Sequence, residues 1–118
     1  MTAIIRMYEQ GAASVLRYEE ETVGHPGEGQ VLVRQAAIGV NYVDVLYRNG
    51  HFGVSTFPFI NGFEAAGTIE AVGSGVQNVR VGDRGAYHFF PGAYASGIAA
   101  EAALTLRRRT GGRVGRGF

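Results

Sequence analysis

"GFEAAGTIEAVGSGV", Gly62 to Val76, is the stretch on which the fold turns. Its alanines invite a helix, but Gly67 interrupts any helical reading, and Thr68, Ile69 and Val72 are β-branched residues that suit a pleated sheet. The stretch reads as a long strand that runs into a Gly-Ser-Gly turn. Working outward, "VLVRQAAIGV", Val31 to Val40, has the β-branched and apolar character of a central strand. Before it, "GHPGEGQ" is a turn signal, and the short runs Thr2 to Tyr8 and Leu16 to Glu21, separated by Gly11, read as a paired opening hairpin. Beyond it, "VGDRGAYHFF" reads as a turn with a charge pair followed by a strand, and "PGAYAS" as another turn. His51 to Asn61 is an irregular aromatic loop containing Pro58.

One segment changes period. Val40, Val43 and Tyr47 follow helical spacing with Leu46 beside them, Asn41 can cap the start and Gly50 can end it. The spacing predicts one helix of about two turns. With many short strands and nineteen Gly, the fold class is mainly β: an irregular, partly open β barrel with one or two short helices.

Composition bounds the functions. A chain of 118 residues is the size of one ordinary domain, with 46% hydrophobic and 18% charged residues and a mean hydropathy of +0.01. No apolar run approaches the roughly 20 residues of a spanning helix. The opening "MTAIIRMYEQ" lacks the basic patch, apolar stretch and small-residue cleavage site of a secretory signal, so a cytoplasmic protein is expected. The absence of Cys excludes disulfides and thiolate metal sites. All 11 basic residues are Arg. Up to Ser96 there are six Arg against nine acids, whereas Gly97 to Phe118 holds five Arg and only Glu101. The chain changes character near residue 96: "GIAAEAALTL" reads as a short Ala-rich helix and "RRRTGGRVGRGF" as a frayed or disordered tail.

Four pieces, "AAIGVNYVDVLYRNG", "FPFINGFEAAGTIEAVGSGV", "VGDR" and "GAYAS", stand in one order and at one spacing that together identify a family. The chain resembles, over Thr2 to about Ser96, the N-terminal GroES-like catalytic domain of the medium-chain dehydrogenase/reductase superfamily. Within it, the resemblance is to the zinc-free NADPH:quinone oxidoreductases related to zeta-crystallin. In the zinc alcohol dehydrogenases of the same architecture, a Cys and a His occupy the positions of Asn41 and Phe63, and a Cys-rich loop holds a second zinc. A site without Cys, assembled from His51, His88, Asp44 and Glu64, has no helical His pair or other ligand spacing behind it.

The resemblance implies hydride transfer from NADPH to a readily reduced acceptor such as a quinone, with the protein supplying position and electrostatics. It implies a cofactor-binding segment from Asn41 to Arg48: Asn41 a polar contact near the nicotinamide or the substrate carbonyl, Tyr42 a wall of the cleft, Asp44 and Arg48 part of its hydrogen-bonding edge. No catalytic residue is assigned and no metal is expected. Read from the residues alone, Asn41 is equally a helix cap, Tyr42 packing, and Asp44 with Arg48 an i,i+4 surface pair. Glu64 has a place near the floor of the site by resemblance. Its own reading is structural, a carboxylate inside an apolar strand that needs a partner, for which a nearby Arg would serve. The chain departs from the family at Leu46, where a Tyr is common, and Tyr47 one place later is turned about 100° around the helix.

A dinucleotide fingerprint is missing: "TGGRVGRGF" has glycines but no strand before them, no helix after them and no following acid. The expected organisation is therefore residues 1–96 as a GroES-like catalytic domain and 97–118 as an atypical Arg/Gly/Ala-rich tail, with the nucleotide-binding half absent. The expected origin is a truncated or frame-shifted gene whose product has little activity alone. The family's dimer contacts are expected mainly from the absent half. The alternative is a non-enzymatic interaction or nucleic-acid-binding module whose arginines contact phosphates. Against it stand the acidic body of the chain and the lack of an RNA-binding signature with stacking aromatics. No membrane partner is expected.

Overall fold

Strand β3, Gln30–Ile38, is the axis of the molecule because both of its edges are paired. On one side it meets β5, Glu64–Val72, and on the other β7, Gly97–Glu101, both antiparallel. The computed structural model describes residues 2–88 and 90–102, and the backbone of 105–107. The sheet continues from β5 to β6, Arg84–His88, and from β6 to β8, Thr105–Arg107, which gives five strands in the order β7-β3-β5-β6-β8. A second sheet of three holds the opening hairpin, β1 (Thr2–Met7) and β2 (Arg17–Glu21), with the two-residue β4 (Phe59–Ile60) on the other side of β1. One α-helix, α1 (Tyr42–Asn49), and a 3-10 turn at Ala13–Val15 complete the described elements. The fold is mainly β, and the two sheets do not close into a barrel among the described residues.

The core lies where β3 and β5 turn their apolar residues to one side. Val31, Val33 and Ile69 have no exposed surface, and Val79, Ala100 and Ala102 close around them. Burying side chains of this size contributes about 1.5–3 kcal/mol each relative to exposure. The strands approach so closely that Gly67 has no room for a side chain: a Cβ there would lie 2.0 Å from the Arg34 carbonyl oxygen. That contact explains the glycine that splits the alanines of the opening stretch.

The segment after the "PGAY" turn stitches the two sheets together. The Ile5 amide donates to the Tyr94 carbonyl, the Ser96 amide to the Ala3 carbonyl, and the Gln35 amide to the Ser96 carbonyl. Gln35 reinforces the seam through Nε2, which donates to the carbonyls of Ala93 and Ala95 at 2.7 and 2.6 Å. Its Oε1 accepts the hydroxyl of buried Tyr87.

One element corrects the sequence reading. "GIAAE" is strand β7 and not the start of an Ala-rich helix. Its pairing with β3 supplies the backbone partners a helix would have made internally, and Ala100 is buried in the core. Of the expected frayed tail, Arg107 to Phe118, the first residue instead ends strand β8, paired with β6, and the rest lies outside the described residues.

Candidate functional site

The site forms around the first turn of α1. Asn41 holds the N-cap in an extended conformation, and Gly50 closes the helix in the left-handed region at φ 93°. Both ends are those the sequence predicts. Asp44 supplies the reciprocal arm of a capping box: its Oδ2 accepts the Asn41 amide at 3.0 Å, while its own amide donates to the Asn41 carbonyl at 3.0 Å. A carboxylate there also faces the positive end of the helix dipole.

Asp44 is 3% exposed, which sequence spacing on a short surface helix does not anticipate. Two residues distant in sequence make that burial tolerable. The Tyr94 hydroxyl donates to Asp44 Oδ2 at 2.5 Å, and Asn61, also buried, donates through Nδ2 to the Asp44 carbonyl at 2.7 Å. The Tyr94 amide donates to the Asn61 carbonyl at 3.0 Å, which closes a ring of hydrogen bonds over α1, the 61–62 turn and the 92–96 segment. Burial, and then the Asp44 carboxylate, push the Tyr94 phenol well above the usual tyrosine range. Gly62 leaves space for the Tyr94 ring, since a Cβ at that residue would stand 2.5 Å from Tyr94 Cδ1. Tyr94 and Asn61 are the residues that sequence reading missed. The available signal was the companionship of "FING" and "GAYAS" with the helix, and not any local spacing.

The four expected residues divide. Asn41, Tyr42 and Asp44 come together at the start of α1, with Asn41 exposed, Tyr42 74% exposed and Asp44 buried beneath them. Arg48 stands about 9 Å further along the helix axis at 1.5 Å per residue. It turns away, donating through Nη1 to the Gly11 carbonyl at 2.9 Å. Asp44 and Arg48 thus do not form the i,i+4 pair their spacing permits, because each has a better tertiary partner.

Phe63, which the resemblance sets where zinc enzymes have a ligand, joins an aromatic cluster beside the helix. Its ring centroid lies 5.0 Å from that of Tyr47, which also packs on Phe52 at 5.3 Å and Phe59 at 6.1 Å. Tyr47 is therefore a packing residue. Among the described residues, no three His, Asp or Glu side chains gather as a metal-binding group.

Glu64 is not the enclosed carboxylate the strand pattern suggests. Its side chain is 43% exposed and faces His88, its cross-strand partner, with Oε2 3.9 Å from Nε2. The two border an open groove of about 410 Å³ shared with Gly39 and Tyr87. Exposure and the neighbouring His88, and not the expected Arg, relieve its need for a buried partner. A Cβ at Gly39 would lie 2.1 Å from Glu64 Oε1, so a larger residue there would have to push this exposed carboxylate aside.

The alcohol dehydrogenase GroES-like domain matches residues 27–115. The chain belongs to that family. Among curated relatives, a quinone oxidoreductase of Pseudomonas aeruginosa is 42% identical over 96 residues, 80% of this chain and 30% of the relative. A 2-haloacrylate reductase of Burkholderia is 42% identical over 71% of this chain and 26% of its own length. The crystal structure of Escherichia coli quinone oxidoreductase complexed with NADPH superposes with a TM-score of 0.86 at 34% identity, over 91% of this chain and 33% of that one. The resemblance read from the four motifs thus holds for sequence and fold alike. This GroES-like domain spans about a third of the length of the relatives it matches. No helix among the described residues is long and apolar enough to cross a membrane.

Proposed function

We propose that this chain forms the acceptor-side part of an NADPH-dependent oxidoreductase that reduces a quinone or a similar carbonyl acceptor without zinc. The observation that carries the reading is the start of α1. Asn41 stands exposed between Val40, 77% exposed, and Tyr42, 74% exposed, above a buried and hydrogen-bonded Asp44. A flat aromatic face and an apolar side chain flanking an amide suit a planar ring that carries a carboxamide or a carbonyl. When bound, NADPH would supply the hydride.

The chain's own residues position and orient. Asn41 offers the polar contact, Tyr42 and Val40 the walls, and Asp44 the fixed floor that sets the cap. Arg48 supports the helix from its far end through its bond to the Gly11 carbonyl. Phe63 has no donor atom, so polarisation of the acceptor falls to hydrogen-bond donors such as the Asn41 side-chain amide. The acceptor class extends to conjugated carbonyls, which the likeness to a haloacrylate reductase supports.

The test is NADPH oxidation with a simple quinone by the 118-residue chain, and by a hybrid in which it replaces the matching third of the Pseudomonas aeruginosa relative. The chain carries no dinucleotide fingerprint, so little turnover is expected from it alone and NADPH-dependent turnover from the hybrid. An inactive hybrid that is nonetheless folded would overturn the reading and return attention to an interaction module, where salt-sensitive nucleic-acid binding is the observable.

A further inference from the structure

We propose that Tyr94 is a positioning residue for Asn41, acting through Asp44; its functional half rests on the reading of Asn41 just given. Asp44 Oδ1 is buried and has no hydrogen-bond partner among the described residues. The carboxylate is therefore held by Oδ2 alone, which accepts from the Asn41 amide on one side and the Tyr94 hydroxyl on the other. With the hydroxyl removed, a single bond remains, and it is the bond to the residue being positioned. The carboxylate can then rotate, and the Asn41 backbone amide loses its side-chain link to the 92–96 segment, although Asn61 still holds the Asp44 carbonyl.

Tyr94 itself is fixed on three sides. Its amide is bound to Asn61 and its carbonyl accepts from Ile5 of β1. Its ring rests in the gap that Gly62 leaves open. The hydroxyl thus carries the geometry of β1 and the 61–62 turn to the first turn of α1. Packing alone does not explain it: a phenylalanine would fill the same gap, and burying a hydroxyl beside a carboxylate is worthwhile only if the bond is made.

In the 118-residue chain, Tyr94→Phe is expected to speed hydrogen exchange of the Asn41 amide tenfold or more while leaving the amides of β3 and β5 unchanged. Equal protection of Asn41 in both proteins overturns the proposal. If the variant does not fold, the unsubstituted chain provides the same decision. The Tyr94 hydroxyl proton should appear as a slowly exchanging downfield resonance with a cross-peak to the Asn41 amide, because both protons share Oδ2; its absence overturns the proposal.

The functional half is read in the hybrid by a double-mutant cycle on kcat/KM. Tyr94→Phe is expected to lower kcat about tenfold with little change in KM for NADPH. The same substitution in an Asn41→Ala background should have almost no further effect, since residues that act through one another are not additive. Additive losses would make Tyr94 merely structural. If Asn41→Ala leaves the hybrid's kinetics untouched, the functional reading of Asn41 fails, while the exchange result still decides whether Tyr94 positions it.

Discussion

The core between β3 and β5 and the hydrogen-bonded ring at the start of α1 are both buried, yet they are built on opposite principles. In the core, Val31, Val33 and Ile69 meet through contacts that carry no direction. In the ring, Asp44, Asn61 and Tyr94 are joined by bonds that are specific in angle and partner. Apolar burial stabilises in proportion to area, whereas a buried polar group gains little net stability and demands its exact partner. The difference teaches that the sheet keeps the domain folded and the ring spends some of that stability on placing one residue.

The comparison is sharpest in substitutions. Ile69→Ala removes a fully buried side chain from a site walled by two strands, and should cost about 3–4 kcal/mol, read as a lower urea midpoint at unchanged slope. Tyr94→Phe deletes one charge-assisted bond and keeps the ring, and should cost about 2 kcal/mol. If Tyr94→Phe destabilised as much as Ile69→Ala, the ring would be a second core and its positioning role would lose its basis.

Alkaline pH reaches the ring through the ionisation of Tyr94. The chain has no Lys and no Cys, so between the α-amino group and the arginines only tyrosines titrate. Tyr94 is raised by burial and then by Asp44, and Tyr87 by burial against the smaller opposing effect of Gln35. Tyr8 and Tyr18 are also raised, by hydrogen bonds to Glu19 and Glu20 on the exposed hairpin. A raised acid means that above the ordinary value of 10.0 the folded protein retains protons the unfolded chain has released. Stability is therefore fully present below that pH and falls as pH rises through the folded-state values. Denaturant midpoints measured across this range should decline steeply, and Tyr94→Phe should flatten the decline by up to one proton's worth of slope. An unchanged slope in the variant would mean that the Tyr94 phenol of the unsubstituted chain is not held on Asp44.

How much of this was legible in the sequence follows the same division. β3 and β5 could be read because Val31, Val33, Thr68 and Ile69 announce a sheet locally, and α1 because Asn41 and Gly50 mark its ends within a few residues. "GIAAE" misled because Ala is the best helix former when nothing else decides, and here β3 decides. The ring was invisible for a related reason. The bond from Tyr94 to Asp44 joins residues 50 apart, and no periodicity encodes it. Arg48 went astray similarly, since helical spacing offers Asp44 as a partner whereas the fold offers the Gly11 carbonyl, 37 residues away. Glu64 misled in the opposite direction: an apolar strand suggested burial, but it opens that strand beside a groove and stays in contact with solvent.

The smallest expected effect on folding falls at Tyr42, where the distinction between holding the fold and serving the site is most complete. At 74% exposed, its ring contributes little packing, so Tyr42→Ala should change stability by no more than about 0.5 kcal/mol. If the ring is a wall of the cleft, the same substitution removes an aromatic contact worth about 1 kcal/mol beyond its area. KM for NADPH or for the quinone in the hybrid should then rise about five- to tenfold, since tenfold corresponds to about 1.4 kcal/mol. A large exposed aromatic that is silent in both measurements would leave the start of α1 a well-made helix cap and nothing more. A variant silent in stability and impaired in KM would show that the buried ring below Asn41 and the exposed surface beside it serve the same cleft.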